Sequence, residues 1–171
     1  MERNNVIKSR GNPLTLVGPE LKVGDKAPDF TLLDNNMSPI KLSDSKGKPR
    51  LLSVVTSLDT GTCNIQTQTF NKKLAELSDK ATIFTISADL PFAQGRFAKE
   101  NKIDKINIVS DYQQTSFGND YGLLIKELRL LARAVIVVDK NDTITYMEVV
   151  PEVSAEPNYT SALDALKKVM D

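Results

Sequence analysis

The stretch that decides the fold runs from Leu51 to Leu77 and reads LLSVVTSLDTGTCNIQTQTFNKKLAEL. Its opening, Leu51 to Val55, is short, apolar and partly β-branched, the composition of a buried strand. The period then changes. Cys63, Thr67, Phe70, Leu74 and Leu77 step by four, three, four and three, which lines them along one face of a helix. Asp59 and Thr60 stand just before that helix, and a side-chain oxygen from either one is expected to accept an orphan backbone N–H and cap it. A buried strand turning directly into a helix is the first half of a strand-helix-strand unit, which favours parallel pairing with a right-handed crossover.

Downstream residues complete that unit. Thr82 to Ala88 (TIFTISA) reads as a second buried strand. Asp89-Leu90-Pro91 opens a short helix through about Asn101, with proline tolerated in the first turn. Ile106 to Ser110 is a third strand, and Ser116 to Leu124 is expected to be irregular or briefly helical. Ala134 to Asp139 and Thr143 to Val150 are two strands joined by a hairpin turn at Lys140-Asn141-Asp142. Tyr159 to Met170 carries Leu163, Leu166 and Met170 at helical spacing. On the N-terminal side, Leu14 to Val17 alternates as a short strand before Gly18-Pro19, Phe30 to Leu33 is another, and Lys41 to Ser45 is expected to be extended. The order predicts an α/β protein: a mixed central sheet flanked by helices, in the thioredoxin-like arrangement.

At 171 residues, one domain over 1–171 is expected. Lys plus Arg is 22 and Asp plus Glu is 22, so no excess of charge invites nucleic acid or an anionic membrane. No stretch approaches the ~20 apolar residues of a membrane span. Met1 to Gly11 (MERNNVIKSRG) has no apolar core of signal-peptide length, so the expected location is the cytoplasm. There is no histidine and one cysteine. A Ser-His-Asp or Cys-His mechanism is thereby excluded, a transition-metal site would need carboxylates alone, and no cofactor is expected. The lone cysteine also excludes an intramolecular disulfide and Cys-x-x-Cys dithiol exchange.

That cysteine, Cys63, falls in the first turn of the predicted helix, where unpaired N–H groups and the helix dipole favour an anionic sulfur. A thiolate open to small oxidants attacks one oxygen of a peroxide and becomes a sulfenic acid, which another thiol must reduce. Such a site needs donors for two oxygens. Thr60, three residues before Cys63, can supply a hydroxyl; Arg129 and Arg133 are candidates for a guanidinium. By position alone, Cys63 fits a small core residue as well as a nucleophile.

The surrounding residues carry a resemblance to the bacterial thiol peroxidases, an atypical two-cysteine branch of the peroxiredoxins, from about Gly11 to the C-terminus. Gly11 to Gly18 (GNPLTLVG) resembles the family's N-terminal hairpin, expected over 11–22 with residues 1–10 flexible. Gly24 to Phe30 (GDKAPDF) is similar to a stretch common to peroxiredoxins; Ser57 to Cys63 (SLDTGTC) resembles the active-site segment; Ser87 to Gln94 (SADLPFAQ) and Leu128 to Val135 (LRLLARAV) are similar to further family blocks. The resemblance implies a peroxidatic role for Cys63, hydrogen bonding to sulfur and substrate by Thr60, and stabilisation of the thiolate and polarisation of the peroxide by Arg133. Arg129 is left as a structural ion-pair partner. The resemblance further implies a homodimer, thioredoxin as electron donor, and a preference for organic over hydrogen peroxide.

Two positions depart from the pattern. Peroxiredoxins carry Pro-x-x-x-Thr-x-x-Cys, and the proline position here is Thr56. The family's resolving cysteine falls at Ala98. The sulfenic acid of Cys63 is therefore expected to be resolved by an outside thiol, thioredoxin or another small thiol, or by Cys63 of a second subunit. The alternative is a redox sensor or binding module that does not turn over.

Overall fold

The chain opens with an antiparallel hairpin of β1 (Glu2–Ser9) and β2 (Asn12–Val17), seen in a computed structural model that describes residues 1–170. Its turn is Arg10-Gly11, with φ of 49° and 81°. Two consecutive positive φ values give the turn a twist matching the strands, and glycine takes one of them without strain. The expected hairpin over 11–22, with 1–10 flexible, is thus corrected: residues 2–9 are its first strand. Only Ile7 of that strand is buried, so β1 is held by backbone pairing and has no apolar alternation to read.

β3 (Thr31–Leu33) pairs with β4 (Pro39–Lys41). The extended piece expected at Lys41 to Ser45 ends where it was to begin. Leu42–Ser45 is a single 3₁₀ turn, because the Asp44 carboxylate accepts the Lys41 N–H at 2.9 Å and buried Leu42 anchors it. The strand-helix-strand units follow as β5 (Arg50–Val54), α1 (Gly61–Lys73), β6 (Thr82–Ser87), α2 (Pro91–Glu100) and β7 (Asn107–Ser110). α3 (Ser116–Asp120), β8 (Leu124–Ile125), β9 (Leu130–Leu131), β10 (Ala134–Val138), β11 (Ile144–Val149) and α4 (Tyr159–Lys168) complete the chain.

The main sheet has seven strands in the order β11-β10-β5-β6-β7-β3-β4. β5, β6 and β7 run parallel, while β10 lies antiparallel against β5 with Ala134 opposite Val54. This is the expected thioredoxin-like mixed sheet. A second sheet, β1-β2-β8-β9, is built on the hairpin. β8 and β9 span two residues each, too few to leave a period in the sequence.

Every residue of β5 and β10 is buried. Alternation sends Ala134, Ile136 and Val138 to one face, with Phe30, Phe84 and Phe117, and Val135 and Val137 to the other, with Phe70, Leu74 and Leu166. Phe70 and Leu74 are fully buried, a contribution of roughly 1.5–3 kcal/mol each that clamps α1 to the sheet. A third, small cluster of Val55, Leu58, Cys63, Phe97 and Ile108 sits where β5 ends and α1 begins. In parallel α/β sheets, reactive groups gather at this carboxyl end of the strands.

Candidate active site

The loop Thr56 to Thr60 connects β5 to α1, and Thr60 is the N-cap residue, with extended backbone (φ −98°, ψ 148°). Neither expected side-chain cap forms: the Thr60 hydroxyl donates to the Ser57 carbonyl at 2.9 Å instead. The first turn of α1 therefore keeps its N–H groups free of a side-chain acceptor. Cys63, the third helical residue, leans back over that turn, as helical side chains do. Its Sγ lies 3.5 Å from Ser57 N and 3.3 Å from Arg133 Nη2.

Arg133 enters from the residue before β10 and is 2% exposed. Its Nε and Nη2 donate to the Val153 carbonyl at 2.9 and 2.7 Å, and Nη1 donates to Gln66 Oε1 at 3.0 Å. Gln66 is itself buried and donates to Ser53 Oγ at 2.8 Å. Among the described residues the ion pairs are Arg50–Asp142 and Lys126–Glu2, so no carboxylate pairs with Arg133. A guanidinium stays charged when buried, and a buried charge is unfavourable without a counter-charge. Its other acceptors, an amide and a peptide carbonyl, are neutral. The sulfur of Cys63 is the one contacting atom able to carry negative charge, and the helix N-terminus adds its own positive potential there.

A polar network positions the loop. Asp89 accepts Ser57 Oγ at 2.7 Å, Leu58 N at 2.8 Å and Ser87 Oγ at 2.7 Å. Gln94 Nε2 extends it to Ser87 Oγ at 2.9 Å and the Val109 carbonyl at 3.0 Å. The end of β6 and the start of α2 thus hold the loop that carries the sulfur. In the sequence Asp89 reads only as a helix opener, and Gln66 does not stand out. A polar residue three positions after Cys63, on the same helix face, is the available signal for Gln66.

The structure does not leave the sulfur open at the surface, as the sequence reading required; Cys63 is 0% exposed, in one buried cluster with Val55, Leu58, Phe97 and Ile108. Beside it opens a cleft of about 280 Å³, lined by Arg10, Thr56, Thr60, Thr62, Arg133 and Ser154 among others. The N–H groups of Arg10 and Gly11 donate to the Glu152 carboxylate at 3.0 and 3.3 Å, and Thr62 Oγ1 donates to the Ser154 carbonyl at 3.0 Å, closing the rim. Thr60 and Arg133 are therefore both walls of this cleft, with Cys63 behind them.

Arg129 does not join the site. It is exposed in the turn between β8 and β9, in left-handed backbone (φ 55°), and has no ion pair among the described residues, against expectation. Ala98 lies on α2, half-buried against the same cluster that holds Cys63.

This fold and this sulfur site define a redoxin: the chain belongs to the Redoxin family, whose family model matches residues 22–163. Its relatives place it among the thiol peroxidases of that family. A thiol peroxidase of Halalkalibacterium halodurans is 51% identical over 164 residues, covering 96% of this chain and 98% of that protein. One from Bacillus subtilis is 49% identical over 164 residues, with coverage of 96% and 98%. Among solved structures, a peroxiredoxin-like protein from Aquifex aeolicus aligns with a TM-score of 0.91 at 36% identity, covering 98% of this chain and 97% of that one. A thiol peroxidase from Chromobacterium violaceum shares the fold, with a TM-score of 0.83 at 19% identity and 95% coverage of both chains. No helix among the described residues is long and apolar enough to cross a membrane.

Proposed function

We propose that this chain is a thiol peroxidase that reduces hydrogen peroxide and alkyl hydroperoxides with Cys63. The observation that carries the reading is the buried, carboxylate-free guanidinium of Arg133, with Nη2 at 3.3 Å from Sγ. The thiolate attacks the terminal oxygen of the hydroperoxide. The S–O bond forms, the O–O bond breaks, and the departing oxygen takes a proton to become an alcohol or water; Cys63 is left as a sulfenic acid. An outside thiol then attacks the sulfur, expels water and forms a mixed disulfide, and a second thiol releases Cys63.

Each site residue has a part. Arg133 stabilises the thiolate. Four of its five N–H donors are taken by protein acceptors, and the fifth, on Nη1, serves the peroxide. Thr60 directs its hydroxyl hydrogen to the Ser57 carbonyl, so its oxygen is oriented to accept a hydrogen bond from the O–H of the hydroperoxide. The peroxide enters by the cleft these residues line. With one cysteine in the chain, the reductant is an external thiol, thioredoxin or another small thiol. The same reading takes the working form to be a cytoplasmic homodimer.

The complete burial of Sγ and the single cysteine favour one rival, a sensor oxidised once without turnover. The test is to add one equivalent of cumene hydroperoxide, follow the Cys63 sulfenate by mass spectrometry, and then supply thioredoxin or small thiols. Oxidation far faster than that of a free thiol, followed by recovery, supports the peroxidase. Oxidation at the free-thiol rate refutes it, and fast oxidation that no thiol reverses selects the sensor.

A further inference from the structure

We propose that Thr56 is a further catalytic residue, its hydroxyl donating a hydrogen bond to the oxygen that leaves when the O–O bond breaks. The proposal rests on the reading of Cys63 as the nucleophile toward peroxide.

Thr56 is 6% exposed, and its Oγ1 has no hydrogen-bond partner among the described residues. Buried hydroxyls are nearly always bonded, because removing one from water without replacing its partner is unfavourable. Three other buried polar atoms share this condition, on Arg50, Thr85 and Gln94. None of those residues lines the cleft beside the sulfur; Thr56 does, together with Thr60 and Arg133. It is also one peptide from the sulfur, since the N–H of the next residue, Ser57, reaches Sγ at 3.5 Å.

The neighbouring donors sharpen the assignment. Thr60 commits its single hydroxyl proton to the Ser57 carbonyl. Arg133 commits four donors to Sγ, Gln66 and Val153, which leaves it the single Nη1 hydrogen assigned above to the peroxide. Thr56 adds a second uncommitted proton, on a residue of the cleft wall whose hydroxyl oxygen, like the sulfur, is covered before substrate enters. Peroxide cleavage puts negative charge on the departing oxygen, and a pre-positioned donor in a site shielded from water stabilises that charge most where it develops. The donor is a property of this chain, since the resemblance puts a proline, which has no hydroxyl, at this position.

The experiment compares wild type, Thr56→Val, Thr56→Ala and Thr56→Ser in single-turnover oxidation by cumene hydroperoxide and in alkylation by iodoacetamide. Alkylation reports the ionisation and accessibility of Cys63 without a departing oxygen, so the ratio of the two rates isolates the proposed bond. In the valine and alanine variants that ratio falls about tenfold, equivalent to about 1.4 kcal/mol, and in the serine variant it stays near wild type. An unchanged ratio in the valine variant, or in the alanine variant should valine prevent folding, overturns the proposal. So does an equal fall in both rates, which would mark Thr56 as a residue that only positions the sulfur. Wild-type oxidation no faster than a free thiol's would instead sink the peroxidase reading itself.

Discussion

Replacing Arg133 with methionine keeps much of the side chain's volume and removes its charge. At 3.3 Å and an effective dielectric of ~20, the attraction between guanidinium and thiolate is about 5 kcal/mol. Not all of it reaches the rate. A sulfur freed of the guanidinium is the stronger nucleophile, with a Brønsted slope of ~0.4–0.5, so about half of that attraction is offset. That leaves roughly 2–3 kcal/mol, or oxidation slower by on the order of 10²-fold at neutral pH. The substitution also strips donors from the Val153 carbonyl and Gln66 Oε1, at about 1–3 kcal/mol for each buried acceptor. The rate is therefore read on protein shown to be folded by circular dichroism. Stopped-flow oxidation with cumene hydroperoxide gives the rate, and the ultraviolet absorbance of the thiolate gives its population. Arg133→Lys keeps a charge but loses the fork that holds Val153 and Gln66 together, and falls between the two. A folded Arg133→Met protein with both readings within about threefold of wild type would refute the electrostatic argument.

Asp111 accepts the N–H groups of Phe117 and Gly118 at 3.1 and 2.8 Å, yet burial pushes its carboxyl up to about 6. Between the unfolded value near 3.8 and that folded value, the native state holds a proton that the unfolded chain has released. Stability from this group is thus full below about pH 4 and is lost as pH rises through 6, by roughly 3 kcal/mol. Urea midpoints from pH 4 to pH 7 should show that fall in wild type and lack it in Asp111→Asn; parallel profiles would contradict it. Asp142→Asn leaves the charge of fully buried Arg50 without its ion-pair partner and should cost about 3 kcal/mol, read from the urea midpoint. Ala98→Cys places a second thiol against the cluster that holds Cys63, so one equivalent of peroxide should leave no titratable thiol and an intramolecular disulfide by mass spectrometry. Persistence of the introduced thiol beside a Cys63 sulfenate would show that α2 cannot bring the two sulfurs together.

What could be read directly from the chain was whatever depends on near neighbours. The apolar run of β5, the helical stripe from Cys63 to Phe70, and the hairpin of β10 and β11 each repeat within a few residues, and the strand-helix-strand order followed from them. Where backbone pairing rather than burial holds a segment, as in β1 and the short β8 and β9, no pattern marked it. The site divides in the same way. Cys63 and Thr60 belong to one short segment, and their placement at the start of a helix is a local property. The contact between Arg133 and Cys63 spans 70 residues and exists because β10 lies antiparallel against β5 with Ala134 opposite Val54. That register sets Arg133 beyond the end of β5, next to the loop that leads into α1. A slip of one residue would turn its side chain to the opposite face of the sheet, and no local period in the sequence encodes that choice.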